Sequence, residues 1–137
     1  GRQFRVWNTH LDHKGQTARE EQARMVCEGA EAAHGAEFPQ ILTGDMNADM
    51  RNPAISIYKS RGWKDTYAEV HGEADPGFTY HRFIGPKYGE VRKGNAGKID
   101  WIFVRGRVRT AAAEIIRDHR NGRYPSDHYF ISADIII

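Results

Sequence analysis

In Ile41-Leu42-Thr43-Gly44-Asp45-Met46-Asn47-Ala48 a short apolar run ends in glycine and then sets an acid and an amide two residues apart. On an extended backbone that spacing turns both side chains to one side. An acid and an amide held together can orient a water or offer oxygen to a hard cation. The same Gly-Asp-x-Asn is also the signature of an Asx-capped turn, so the pair gains meaning only from its company.

Three more polar stations provide that company. Asn8-Thr9-His10-Leu11-Asp12-His13 closes one β-rich run, and Ser126-Asp127-His128 opens another. Asp100 lies within Lys98-Ile99-Asp100-Trp101-Ile102-Phe103-Val104. A carboxylate flanked by Ile99, Trp101, Ile102 and Phe103 is costly to bury without a partner. A histidine would serve, because a carboxylate fixes its tautomer and stabilises its charged form.

The elements that must carry these stations follow from patterning. Residues 4–10 read as a strand ending at His10, followed by a loop over 12–16. Thr17-Ala18-Arg19-Glu20 has the capping-box pattern. Ala18, Gln22, Met25, Val26, Gly29 and Ala33 recur at helical spacing and are expected on the inner face. Glu20 and Arg24 form a supportive pair worth roughly 0.2–0.5 kcal/mol. Gly35 and Pro39 stop that helix, and the order strand, helix, strand predicts a crossover into residues 40–43. Asn52-Pro53 opens a second helix with Ile55 and Tyr58 inward and Gly62 at its end. Residues 63–97 read as loops around one strand over 78–83. Strands are expected over 98–104, 108–117 and 128–137.

The chain has 137 residues, one domain's worth, with 39% hydrophobic and 28% charged residues, as in an ordinary globular protein. A net charge of +2 names no polyanionic partner. Lys87, Arg92, Lys93 and Lys98 form one loose basic stretch and Arg117, Arg120 and Arg123 another. With glutamates interleaved in the first, both read equally well as solvated surface. The one cysteine, Cys27, excludes an internal disulfide, leaves the compartment open and reads as packing. Trp7, Trp63 and Trp101 read as core. No apolar run approaches the roughly 18 residues of a membrane span. Gly1-Arg2-Gln3 leads straight into a strand, which reads as a chain cut within a domain.

Asn-Thr-His-Leu-Asp, Gly-Asp-Met-Asn, Lys-Ile-Asp-Trp-Ile-Phe-Val and Tyr-Pro-Ser-Asp-His, in this order, resemble the endonuclease/exonuclease/phosphatase superfamily over residues 4–137. The resemblance implies an α/β (α+β) fold: half of a four-layer α/β sandwich, with one mixed β-sheet and helices on its outer face. Residues 1–137 would be the C-terminal half of the catalytic domain.

The implied activity is metal-dependent phosphoester hydrolysis with Mg²⁺, or Mn²⁺ in its place. Asp45 resembles the acid that orients or deprotonates the attacking water, with Asn47 beside it holding phosphate or metal. His10 resembles a histidine that contacts the scissile phosphate, His128 the second such histidine, and Asp100 its orienting carboxylate. Asp127 resembles a metal ligand. His81 and Asn8 are candidate substrate contacts. Arg19 is a third, although an exposed first-turn arginine is the plainer reading. The family's principal metal-binding Glu and an accompanying Asn come from N-terminal strands not in this sequence, so the chain alone is expected to bind Mg²⁺ weakly and turn over little.

The implied substrate is a small phosphoester, a nucleic acid or a phospholipid head group, and the implied partner is the missing N-terminal half. The rival reading is a non-catalytic half-domain that serves as an interaction module.

Overall fold

The computed structural model describes residues 1–91 and 97–137, so Arg92 and Lys93 of the first basic stretch lie outside the described residues. In chain order the elements are β1 (Arg5–His10), α1 (Gln16–Ala33), β2 (Gln40–Asp45), α2 (Pro53–Ser60), β3 (Lys64–Asp65), α3 (Thr66–His71), α4 (Tyr88–Val91), β4 (Asp100–Arg105), β5 (Arg109–Ile116) and β6 (Phe130–Ile136). A mixed sheet has the order β1-β2-β4-β3, and β5-β6 forms a separate antiparallel ribbon. β1 and β2 run parallel through the α1 crossover, as the strand–helix–strand order predicts.

Alternation along the strands separates two faces. Leu42, Trp101 and Phe103 turn toward the helices and are fully or nearly fully buried with Ala23, Cys27, Ile55, Tyr58 and Trp63. Trp63 and Trp101 are therefore core, and Trp7 packs partly buried against it. His10, Asp45 and Asp100 lie in register on the other face, at one end of β1, β2 and β4.

α1 departs from its expected start and face. Its cap is Gly15 with no side-chain hydrogen bond, so Thr17 and Glu20 are already inside the helix and the capping box is not formed. Glu20 instead accepts from Gln16 Nε2 at 2.9 Å and pairs with Arg24 at 3.4 Å. The buried positions are Arg19, Ala23, Cys27 and Ala30, while Met25 is 63% exposed. Small residues let the helix lie close against α2, and they carry little periodic signal.

α2 begins as expected, with the Asn52 side chain accepting from Ala54 N at 3.0 Å and Pro53 in the first turn. α3 lies where loop was expected, capped by Asp65 Oδ1, which accepts from Tyr67 N at 3.1 Å. The expected strand over 78–83 is reduced to one bridge, Tyr80 to His128. Arg82 and Phe83 adopt positive φ of 54° and 62°, which ends any extended run.

Candidate active site

The site begins with a glycine. At Gly44 (φ 151°) an added Cβ would stand 1.8 Å from the Thr9 carbonyl oxygen, so β1 and β2 can approach at this register only without a side chain there. That approach places His10 beside Asp45. Across the sheet, Asp45 is paired with Asp100 of β4.

Asp45 is fixed at one oxygen and presented at the other. Its Oδ1 accepts from Asn47 N at 2.8 Å in the turn that follows β2. Its Oδ2 lies 3.4 Å from His10 Nε2 and 3.9 Å from His128 Nε2. Burial, with Asp100 nearby as a smaller contribution, holds the Asp45 carboxyl above its ordinary range. Asn47 sits at φ 45°, which asparagine tolerates better than most residues, and donates from Nδ2 to Leu11 O at 2.9 Å. The same Nδ2 lies 3.0 Å from His10 Nε2, which therefore acts as acceptor when the ring is neutral.

His128 is held from behind. Its Nδ1 donates to Asp100 Oδ2 at 2.8 Å, leaving Nε2 turned toward Asp45. That hydrogen bond raises the imidazole pKa, so the charged form is favoured. The partner expected for a carboxylate among Ile99, Trp101, Ile102 and Phe103 is thus a histidine 28 residues away. Tyr80 packs its ring 5.0 Å from that of His128. The His10 side chain is 70% exposed and that of His128 only 23%, so the pocket is walled on the His128 side and open on the other.

Two of the sequence-derived residues, His10 and His128, therefore converge on Asp45 Oδ2, while Asp100 holds His128 from behind and Asn47 braces His10. Asp45, Asp100 and His128 also form a group whose ligand atoms lie within 4.8 Å of one another. Asp127 is outside that group. Its carbonyl accepts from His81 N at 2.7 Å and Arg82 N at 3.2 Å, which fixes the entry to β6. Asn8 donates to Thr43 Oγ1 at 2.7 Å and so ties β1 to β2.

Two expectations are corrected by burial. His81 is fully buried, stacked 4.1 Å from Tyr129 with its Nδ1 accepting from Gly85 N, so it is packed away from any substrate. Burial also lowers its pKa. Arg19 is only 9% exposed and donates to Asp12 O at 2.9 Å and Gln16 Oε1 at 2.8 Å, so it binds the start of α1 and is neither a surface arginine nor a phosphate contact. Lys98 is likewise no surface base. It is 4% exposed, paired with Asp65 at 2.7 Å and 2.9 Å, and lies 3.7 Å from the Trp101 ring centroid.

The Endonuclease/Exonuclease/phosphatase family matches residues 4–128. The chain belongs to this family. Solved family structures share the fold. A mannosyl-6-phosphatase of Bacteroides thetaiotaomicron is 27% identical with a TM-score of 0.75, covering 96% of this chain and 51% of its own. An endonuclease/exonuclease/phosphatase protein of Bacteroides vulgatus is 26% identical with a TM-score of 0.76, covering 93% and 47%. The human Nocturnin catalytic domain, with a bound sulfate, is 20% identical with a TM-score of 0.70, covering 99% and 48%, and shares the fold alone. The chain thus spans about half the length of the structures it resembles. No curated protein matches it. Among the described residues, no helix is long and apolar enough to cross a membrane.

Proposed function

We propose that this chain carries the water-activating and phosphate-binding part of a metal-dependent phosphoester hydrolase. The supporting observation is the placement of Asp45 Oδ2 between His10 Nε2 and His128 Nε2, with Asp100 behind His128. Asp45, whose carboxyl is shifted toward protonation, takes a proton from water. The water oxygen then bonds to phosphorus as the ester P–O bond breaks, and the leaving alkoxide takes a proton from solvent to depart as the alcohol. His128, whose charged form Asp100 favours, donates to the phosphoryl oxygens on which charge accumulates, with His10 beside them. Positioned groups of this kind contribute about 10²–10⁴-fold each.

The residues also fit a hard divalent ion. Mg²⁺ commonly takes one or two carboxylates and retains several waters, and Asp45 and Asp100 offer carboxylate oxygens within a few ångströms, with Asn47 alongside. Asp45 and Asn47 would hold Mg²⁺ or Mn²⁺, and the ion would neutralise charge on the phosphoryl group. Asp127, whose carboxylate is close enough to His128 to favour its charged form, would be a further candidate ligand. A further part of the protein, the N-terminal half of the domain, would complete the ligand set.

A small phosphoester is favoured over duplex nucleic acid, because it fits the near-neutral net charge of +2 better than a duplex, which normally calls for a basic stripe. The likeness to a mannosyl-6-phosphatase is consistent with that class. The test is phosphate release by the full-length protein from sugar phosphates, nucleotides and phosphodiesters, with Mg²⁺ and with chelator. Metal-dependent release from small esters is expected. No release from any ester under either condition would favour the non-catalytic interaction module.

A further inference from the structure

The Asp100–His128 hydrogen bond joins two strands that belong to different sheets, β4 in the four-stranded sheet and β6 in the ribbon. Some other contact must fix where the two strands begin. The edge of β4 away from β2 is closed in steps. β3 pairs with Val104 and Phe103, and the Thr66 hydroxyl donates to Ile102 O at 2.8 Å. Beyond these, Thr79 Oγ1 accepts from Ile99 N at 3.0 Å and Asp100 N at 3.2 Å. Successive N–H groups of a regular strand point to opposite edges, so a neighbouring strand could not accept from both. A side-chain oxygen at the strand entry can, and buried N–H groups require such an acceptor.

The same residue reaches the other strand through its backbone. Thr79 O accepts from Tyr129 N at 2.8 Å, one residue beyond His128, and Tyr80 bridges to His128 itself. Thr79 is fully buried, so all three bonds are shielded from solvent.

We propose that Thr79 is a positioning residue of the phosphoester site. Its hydroxyl sets the backbone of Asp100 and its carbonyl sets the start of β6. Together they hold the carboxylate and imidazole at hydrogen-bond distance. This rests on the hydrolase reading for its effect on rate, but its effect on the Asp100–His128 bond stands apart from that reading.

Two variants of the full-length protein test it, Thr79→Val, which keeps the shape and removes the oxygen, and Thr79→Ser, which keeps the oxygen and removes the methyl. The two readouts are steady-state kinetics and the downfield imidazole Nδ1–H proton resonance of His128. In Thr79→Val the resonance should be lost to exchange and kcat should fall about 10- to 100-fold, with KM changed less than about twofold. Thr79→Ser should retain the resonance and stay within about threefold of wild-type kcat. A folded Thr79→Val protein with the wild-type resonance and kcat would overturn the proposal. If Thr79→Val does not fold, the serine variant decides, since loss of the resonance there would show that packing of the methyl, not the hydroxyl, is what matters. Absence of phosphatase activity in wild type with the resonance responding as expected would refute the hydrolase reading and leave the positioning role in place.

Discussion

Asp45 and Asp100 stand directly opposite each other in the antiparallel pairing of β2 and β4. Like charges at such positions destabilise a sheet. The arrangement is tolerable because His128 lies against Asp100 and both histidines face Asp45. On the proposed reading the pair serves the site at the expense of stability, and the two effects can be separated by mutation.

Asp45→Asn should lower the metal-dependent rate by about 10²–10⁴-fold. Its folding stability at neutral pH should match or exceed wild type by up to about 1 kcal/mol, because one of two opposed carboxylates is gone. Parallel kinetics and urea melts check both halves.

The Asp100–His128 bond predicts a signed pH dependence. Since the folded pKa of His128 is raised above its ordinary value, the stability it contributes is fully present below about pH 6.5, the unfolded value. That contribution is lost as pH rises through the folded pKa. The stability gap between wild type and His128→Gln should therefore be larger at pH 5.5 than at pH 9. In Asp100→Asn, an NMR titration should find the His128 pKa lowered toward its ordinary value.

Much of this site was legible because each station sits where a strand pattern stops, and Asp100 among large apolar residues announced a buried partner. What stayed hidden depended on distant contacts. Lys98 and Arg19 read as surface charges because their partners, Asp65 and the Asp12 carbonyl, are brought close only by the fold. The inner face of α1 was missed because Ala23, Cys27 and Ala30 are small, while the larger Met25 points to solvent. Residues 78–83 have strand-like composition, but Thr79 uses its hydroxyl where a strand would use backbone, and Arg82 and Phe83 turn the chain. α3 contains Thr66, Tyr67 and Val70, which argue for strand, and it forms because Asp65 caps it.

The buried Lys98–Asp65 pair should behave asymmetrically. Asp65→Ala leaves an ammonium with 4% exposure unpaired, so a loss of about 3–5 kcal/mol is expected. Adding Lys98→Met should recover the part due to the unpaired ammonium, since the stem then packs on Trp101 without a charge to solvate, and leave the loss of the α3 cap, about 1 kcal/mol. Urea denaturation of the two single variants and the double variant gives the coupling directly.

Gly44→Ala should prevent β1 from pairing with β2, because the new methyl would meet the Thr9 carbonyl at 1.8 Å. A loss of more than about 4 kcal/mol, or no soluble protein, is expected. Gly72→Ala, where nothing lies within 4 Å but φ is also positive, is the control for backbone strain alone and should cost about 1–3 kcal/mol.

Cys27 is fully buried and its thiol is pushed up to about 11 by desolvation. Reaction with a thiol reagent at pH 8 should be slow in the native protein and fast in denaturant, as followed by absorbance.

Hydrolysis in heavy-oxygen water tests the central claim most directly, that Asp45 aims a water at phosphorus. With the full-length protein and a small phosphate ester, mass spectrometry should find one heavy oxygen in the released inorganic phosphate and none in the alcohol. Label in the alcohol, or phosphate released without label, would contradict it.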